Sequence, residues 1–236
     1  MKSNLIRFFS LSLMVTTSAC ASVPENLPKP DSGIQIVSMS EMYGSQTTKA
    51  KSLGRIKQQQ TKGYVQENEP YAKYLLTIKN HALVEIQQNK TNAEPTDTHL
   101  KASINEISLA FATKSLASVN PKNVIGFAAV GSWHDGWTGV KEFFESHDLG
   151  ICEYSKINRI LSHGGVQIAA EIARFDINDK PNFLKVKGTE NTGYLYTIKW
   201  YDDTFNHSLE CANSNYSIKI TSNLITYAKL IAKDKG

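Results

Sequence analysis

The sequence predicts an α+β fold: an N-terminal helical segment, then a mostly antiparallel sheet with flanking helices, and a C-terminal helix. Three observations carry this. Tyr71, Tyr74, Leu75, Ile78, Ala82 and Ile86 recur at helical spacing and make one apolar face. From residue 123 onward the apolar residues fall in short, strand-length runs separated by polar and glycine-bearing links. Residues 224–232 close the chain as an amphipathic helix, with Lys229, Lys233 and Lys235 toward its C-terminal end, where the helix dipole favours cations.

In chain order, residues 1–19 have the three-part layout of a secretory leader. Lys2 and Arg7 form the basic start, residues 5–15 the apolar stretch, and Thr17-Ser18-Ala19 the small-residue exit before Cys20. A cysteine directly after Ser-Ala resembles the lipobox of bacterial lipoproteins, although Thr17 stands where that family usually carries leucine. The resemblance implies that the Cys20 thiol is acylated and the leader removed. By the sorting pattern of that family, Ala21 in place of aspartate implies transfer to the outer membrane, with the chain facing the periplasm. Ala19-Cys20-Ala21 also fits an A-x-A cleavage pattern, which would release a soluble periplasmic protein beginning at Ser22. The chain further resembles, without a short motif that carries the likeness, accessory lipoproteins of Dot/Icm-type type IV secretion complexes.

Residues 20–33 carry Pro24, Pro28 and Pro30 among polar residues and read as a stiff tether. Residues 34–66 form a polar, basic segment. Between 45 and 66 lie Lys49, Lys51, Arg55, Lys57 and Lys62, no acids, and the run Gln58-Gln59-Gln60. Such a segment contacts an anionic partner, or is solvated or disordered. Residues 67–121 are expected to be helical: one helix over 70–88, a polar loop over 89–98, and a second helix over 100–119. Ile107, Leu109 and Phe111 would equally fit a strand there. Asn120-Pro121 ends this region.

Residues 122–236 are expected to form a compact α+β domain. Residues 124–130 are a strand-length run. Val140, Phe143 and Phe144 suggest a short helix, and 149–161 and 166–175 look like strand pieces. Residues 183–187, 194–201 and 205–212 suggest a meander whose second link centres on Asp202-Asp203.

The chain has 236 residues and a formal net charge of +4. Lys2 and Arg7 of the leader supply two of those charges, so the remainder is close to balanced and gives no electrostatic case for a nucleic-acid partner. Three cysteines are present. With Cys20 acylated, Cys152 and Cys211 remain. In an exported chain such a pair reads as a disulfide closing a loop of about 60 residues, the alternative being a reactive thiol.

The least ordinary stretch is Ser132-Trp133-His134-Asp135-Gly136-Trp137. It reads either as a polar site with aromatic walls or as a turn whose tryptophans anchor it to the core. Trp133 and Trp137 are the candidate interface residues. His134, His147, His163 and His207 lack metal-ligand spacing, Asp202-Asp203 before His207 reads better as a turn than as a catalytic pair, and hydrolase and phosphate-loop motifs are missing from the sequence. The expectation is therefore a non-enzymatic lipoprotein without cofactor or metal. It would be held to outer-membrane lipid through Cys20 and dock onto a multi-protein envelope machine, for which a type IV secretion core is the candidate. The alternative is a carbohydrate- or peptidoglycan-binding lipoprotein with the two tryptophans as platform.

Overall fold

The structure is a computed structural model that describes residues 33–42, 44–88, 99–116 and 123–233. Cys20, the leader, the tether up to residue 32 and the expected loop at 89–98 lie outside the described residues. The elements are β1 (Ile34–Val37), α1 (Gln46–Lys62), β2 (Val65–Gln66), α2 (Pro70–Gln88), β3 (Asn123–Trp133), β4 (Trp137–Ser146), β5 (Gly150–Asn158), β6 (Val166–Ala169), β7 (Arg174–Ile177), β8 (Lys180–Thr189), β9 (Gly193–Tyr201), β10 (Phe205–Asn213) and α3 (Ile218–Lys233). The fold is α+β.

One large sheet runs in the order β2-β8-β9-β10-β5-β4-β3, and β7 also pairs with β8. It consists of two meanders, β3-β4-β5 and β8-β9-β10, joined by the antiparallel pairing of β5 with β10. The chain crosses between them through β6, which pairs with β1 in a separate two-stranded parallel sheet. β2 pairs with β8 in parallel, over two residue pairs.

Helices cover both faces. Ala72, Leu75, Ile78 and Ala82 of α2 pack on Phe143, Ile151, Leu195 and Ala212, so the expected helical region and the β-rich domain share a core. Leu224, Ala228 and Ile231 of α3 pack on the opposite face, against Phe144, Tyr196, Ile198 and Leu209. Cys152 and Cys211 face each other across β5 and β10 and form a disulfide, with Cα atoms 4.1 Å apart and both residues fully buried.

Three segments differ from the expectation. Residues 45–66 are ordered. Ser45 caps α1 by accepting the Thr48 N–H, and Gly63 ends it at φ 83°, donating its N–H to the Gln59 carbonyl. A Cβ at Gly63 would lie 1.9 Å from the Tyr216 hydroxyl, so the left-handed cap and the close ring both require glycine. α1 has no buried residue, in keeping with its low apolar content, and its glutamines supply the anchors.

Residues 100–116 are not a helix. They form an extended strap with a 3-10 turn at Ile104–Glu106, capped by Ser103. Leu100 plugs the α2 core, while Ile107 joins Phe127, Ala129 and Val140 in a separate cluster. The apolar residues serve two cores rather than one helical face. Buried Glu142 holds the strap's end, accepting the Ser115 hydroxyl at 2.9 Å and the Leu116 N–H at 2.8 Å.

Residues 140–144 belong to β4. Phe143 faces α2 and Phe144 faces α3. A strand buried on both faces loses its alternation, and its apolar spacing then imitates a helix.

Candidate functional site

The β3–β4 hairpin ends in the sequence singled out above. Trp133 and Trp137 pair across it, His134 N–H donates to Gly136 O at 2.8 Å, and Asp135 and Gly136 take φ of 54° and 146°. The strap fixes this tip from the side: Trp137 N–H donates to Ser108 O at 2.8 Å, and Ala110 N–H donates to Trp137 O at 3.0 Å. A Cβ on Gly136 would lie 2.6 Å from the Ala110 nitrogen, so the strap passes this closely only over glycine.

The two tryptophans take different roles. Trp137 is partly buried against the Ile107, Phe127 and Val140 cluster. Trp133 is 36% exposed, its ring perpendicular to that of Trp137 with centroids 5.9 Å apart. His134 meets His163 of the β5–β6 loop edge to face at 6.3 Å, and both are exposed. Ile160 in the same loop is 50% exposed. The tip is thus a rigid hairpin end with a surface indole, two imidazoles and a carboxylate beside it.

The other histidines lie elsewhere. His147 Nδ1 sits 3.2 Å from Asp148 Oδ1, and both side chains are well solvated. His207 is buried at the base of the β9–β10 turn. Asp202 already accepts the Thr204 and Phe205 N–H groups, so His207 Nε2–H donates to Asp202 Oδ2 at 3.0 Å. That leaves Nδ1 to accept the Tyr154 O–H at 2.8 Å. Burial pushes the His207 pKa down against the pull of Asp202. Burial alone would raise the Asp202 carboxyl, but its three hydrogen bonds hold it well below the usual range. The chain ends on a tyrosine that burial keeps protonated, with Trp200 stacked on His207 at 4.9 Å. The arrangement locks the turn and presents no free base. Among the described residues no group of three or more His, Cys, Asp and Glu is placed to hold a metal ion, and no helix is long and apolar enough to cross a membrane.

One constellation had no sequence signal. Glu153 on β5 lies directly opposite Glu210 on β10, on the face that α2 covers. Glu153 is buried, accepts the Tyr71 hydroxyl, and lies 2.9 Å from Lys141 Nζ, while Glu210 lies 3.8 Å from Lys199. Burial, then the facing Glu210 carboxylate, push the Glu153 pKa up to about 8. The four charged residues come from four strands, and only strand register could have brought them together.

No protein-family model, no curated protein and no solved structure matches this chain.

Proposed function

We propose that this chain is an interaction lipoprotein, anchored to the outer membrane through acylated Cys20, that docks onto a multi-protein envelope machine through the β3–β4 tip. A type IV secretion core is the candidate machine. One observation carries the docking reading: Trp133 is a surface indole paired across the hairpin with Trp137, whose backbone is clamped by hydrogen bonds to the strap. A rigid aromatic loses little entropy on contact, and tryptophan dominates interface energetics. Trp137 supports the tip from within. Exposed His134, His163 and Ile160 extend the patch.

The test is crosslinking and affinity purification from membranes, with melting curves on the same samples. Trp133→Ala is expected to leave the melting temperature unchanged and to weaken capture of the assembly by about 30-fold, the equivalent of about 2 kcal/mol. Trp137→Ala is expected to lower the melting temperature. Undiminished capture by Trp133→Ala removes the tip as the docking surface. Quenching of Trp133 fluorescence by peptidoglycan fragments, without protein capture, would favour the carbohydrate-binding alternative.

A further inference from the structure

A cleft of about 420 Å³ opens between α1, the loop at 171–173, β7 and the edge of β8. Its size lies within the range of small-molecule sites. Met39, Ile56, Val65, Ile172, Phe183 and Leu184 give it apolar walls, and Arg55, Arg174, Lys185 and Glu171 supply its charge. Three of those four are already engaged. Glu171 accepts the Met39 N–H at 3.0 Å, Arg174 pairs with Asp176, and Arg55 pairs with Glu67 at 2.7 Å. Next to the cleft, Lys187 takes Glu69 and reaches Glu67 at 4.0 Å. The cations Arg55, Lys185 and Lys187 therefore share two carboxylates. Among the described residues Lys185 has no ion pair within 4.0 Å, although its side chain is half-buried. Burial, then repulsion from Lys187, lower its pKa, as expected for a cation whose neutralising partner is missing.

We infer that this cleft binds a small amphipathic anion, its apolar chain lying against Ile56, Ile172 and Phe183 and its carboxylate or phosphate head at Lys185. The inference is independent of the Trp133 surface. An apolar wall alone would accept any oily molecule. A partly desolvated lysine without a carboxylate selects the charged one, because a charge-assisted contact there replaces lost hydration. α1 forms one wall, so the segment read from sequence as an anion-contacting or solvated stretch lines an anion site through Arg55, Ile56 and Gln59.

The experiment is calorimetric titration of the full chain carrying Cys20→Ser, which holds no acyl group and needs no detergent. The probes are octanoate, octyl phosphate, 1-octanol and inorganic phosphate. At least one octyl anion is expected to bind at a single site, about tenfold or more tighter than 1-octanol. The tighter anion identifies the head group. Lys185→Met is expected to reduce that anion to the octanol level, Lys185→Arg to retain it, and Lys57→Met, on the exposed side of α1, to leave it unchanged. The proposal is overturned if neither octyl anion binds, if 1-octanol binds equally well, or if Lys185→Met changes nothing. Inorganic phosphate binding as tightly as octyl phosphate would also overturn it, since the apolar walls would then contribute nothing.

Discussion

Glu153 shows how much a single residue's chemistry depends on its neighbours in space. In sequence it is an acid in a strand-like run. In the fold it is buried, faces Glu210, and accepts from Tyr71 and Lys141. Its carboxyl is raised from 4.5 to about 8. The native state therefore holds a proton that the unfolded chain has released between these values. A raised acid contributes stability that is fully present below the unfolded pKa and is lost as pH rises through the folded one. Stability should fall from pH 5 to pH 8 by an amount on the order of 4 kcal/mol from this group. Glu153→Gln, which keeps the shape and cannot titrate, is expected to flatten that slope. Melting temperatures of both proteins across the interval are the measurement. Parallel curves would mean that Lys141 keeps Glu153 ionised throughout. None of this was legible in the sequence. By contrast, the aromatic pair at 133 and 137 was visible as composition, and only the strap determines which member faces solvent.

At the scale of elements, α1 and the edge of β8 belong together. β8 is paired by β2 at one end and by β7 at the other, leaving the backbone between them without a strand partner on that side. Gln59 fills the gap: its Nε2 donates to Leu184 O at 3.0 Å, and its Oε1 accepts the Val186 N–H at 3.1 Å. One amide side chain thus makes both bonds of a strand neighbour. Gln58 makes one such bond to β2, accepting the Gln66 N–H at 3.0 Å. Both devices keep a sheet edge from recruiting another chain. Gln59→Ala leaves the Val186 N–H unpaired and is expected to cost about 2 kcal/mol, with faster hydrogen exchange at Val186 and unchanged exchange in the β5–β10 centre. Gln60→Ala, at an exposed residue of the same run, is expected to stay within about 0.5 kcal/mol. The sequence displayed the glutamine run but not its use, because an edge cap is defined by the strand it meets more than a hundred residues later. The same reason separates the elements that were readable from those that were not. α2, α3 and the β8-β9-β10 meander follow local periodicity and turn chemistry. The strap at 100–116 and the doubly buried β4 answer to two cores at once, and local periodicity has no term for that.

For the whole molecule, the seam between the two meanders governs integrity. β3-β4-β5 and β8-β9-β10 are each built from local hairpins, but their junction, β5 on β10, joins residues 47 to 61 positions apart. Such a contact closes a long loop before it gains anything, so it is the costly step in assembling the sheet. The disulfide sits in this seam, bridging positions separated by 59 residues. The pairing of the two cysteines followed from their number and the expectation of an exported chain, whereas its place at the join between meanders is visible only in the fold. Cross-linking a loop of this length stabilises by about 4 kcal/mol in the chain-entropy model. Replacing both cysteines by alanine is therefore expected to lower unfolding free energy by about that amount, and more so because both sulfurs fill the α3-side core. The loss should appear first at the seam. Amide exchange in β5 and β10 is expected to rise toward the global unfolding rate, while the hairpin pairs β3–β4 and β8–β9 keep more of their protection. Chemical denaturation of the double variant, with residue-resolved exchange, is the measurement. Uniform exchange across all strands, with unfolding free energy within 1 kcal/mol of the parent, would show that the meanders are held together by packing under α2 and α3 and that the bond is incidental to the join.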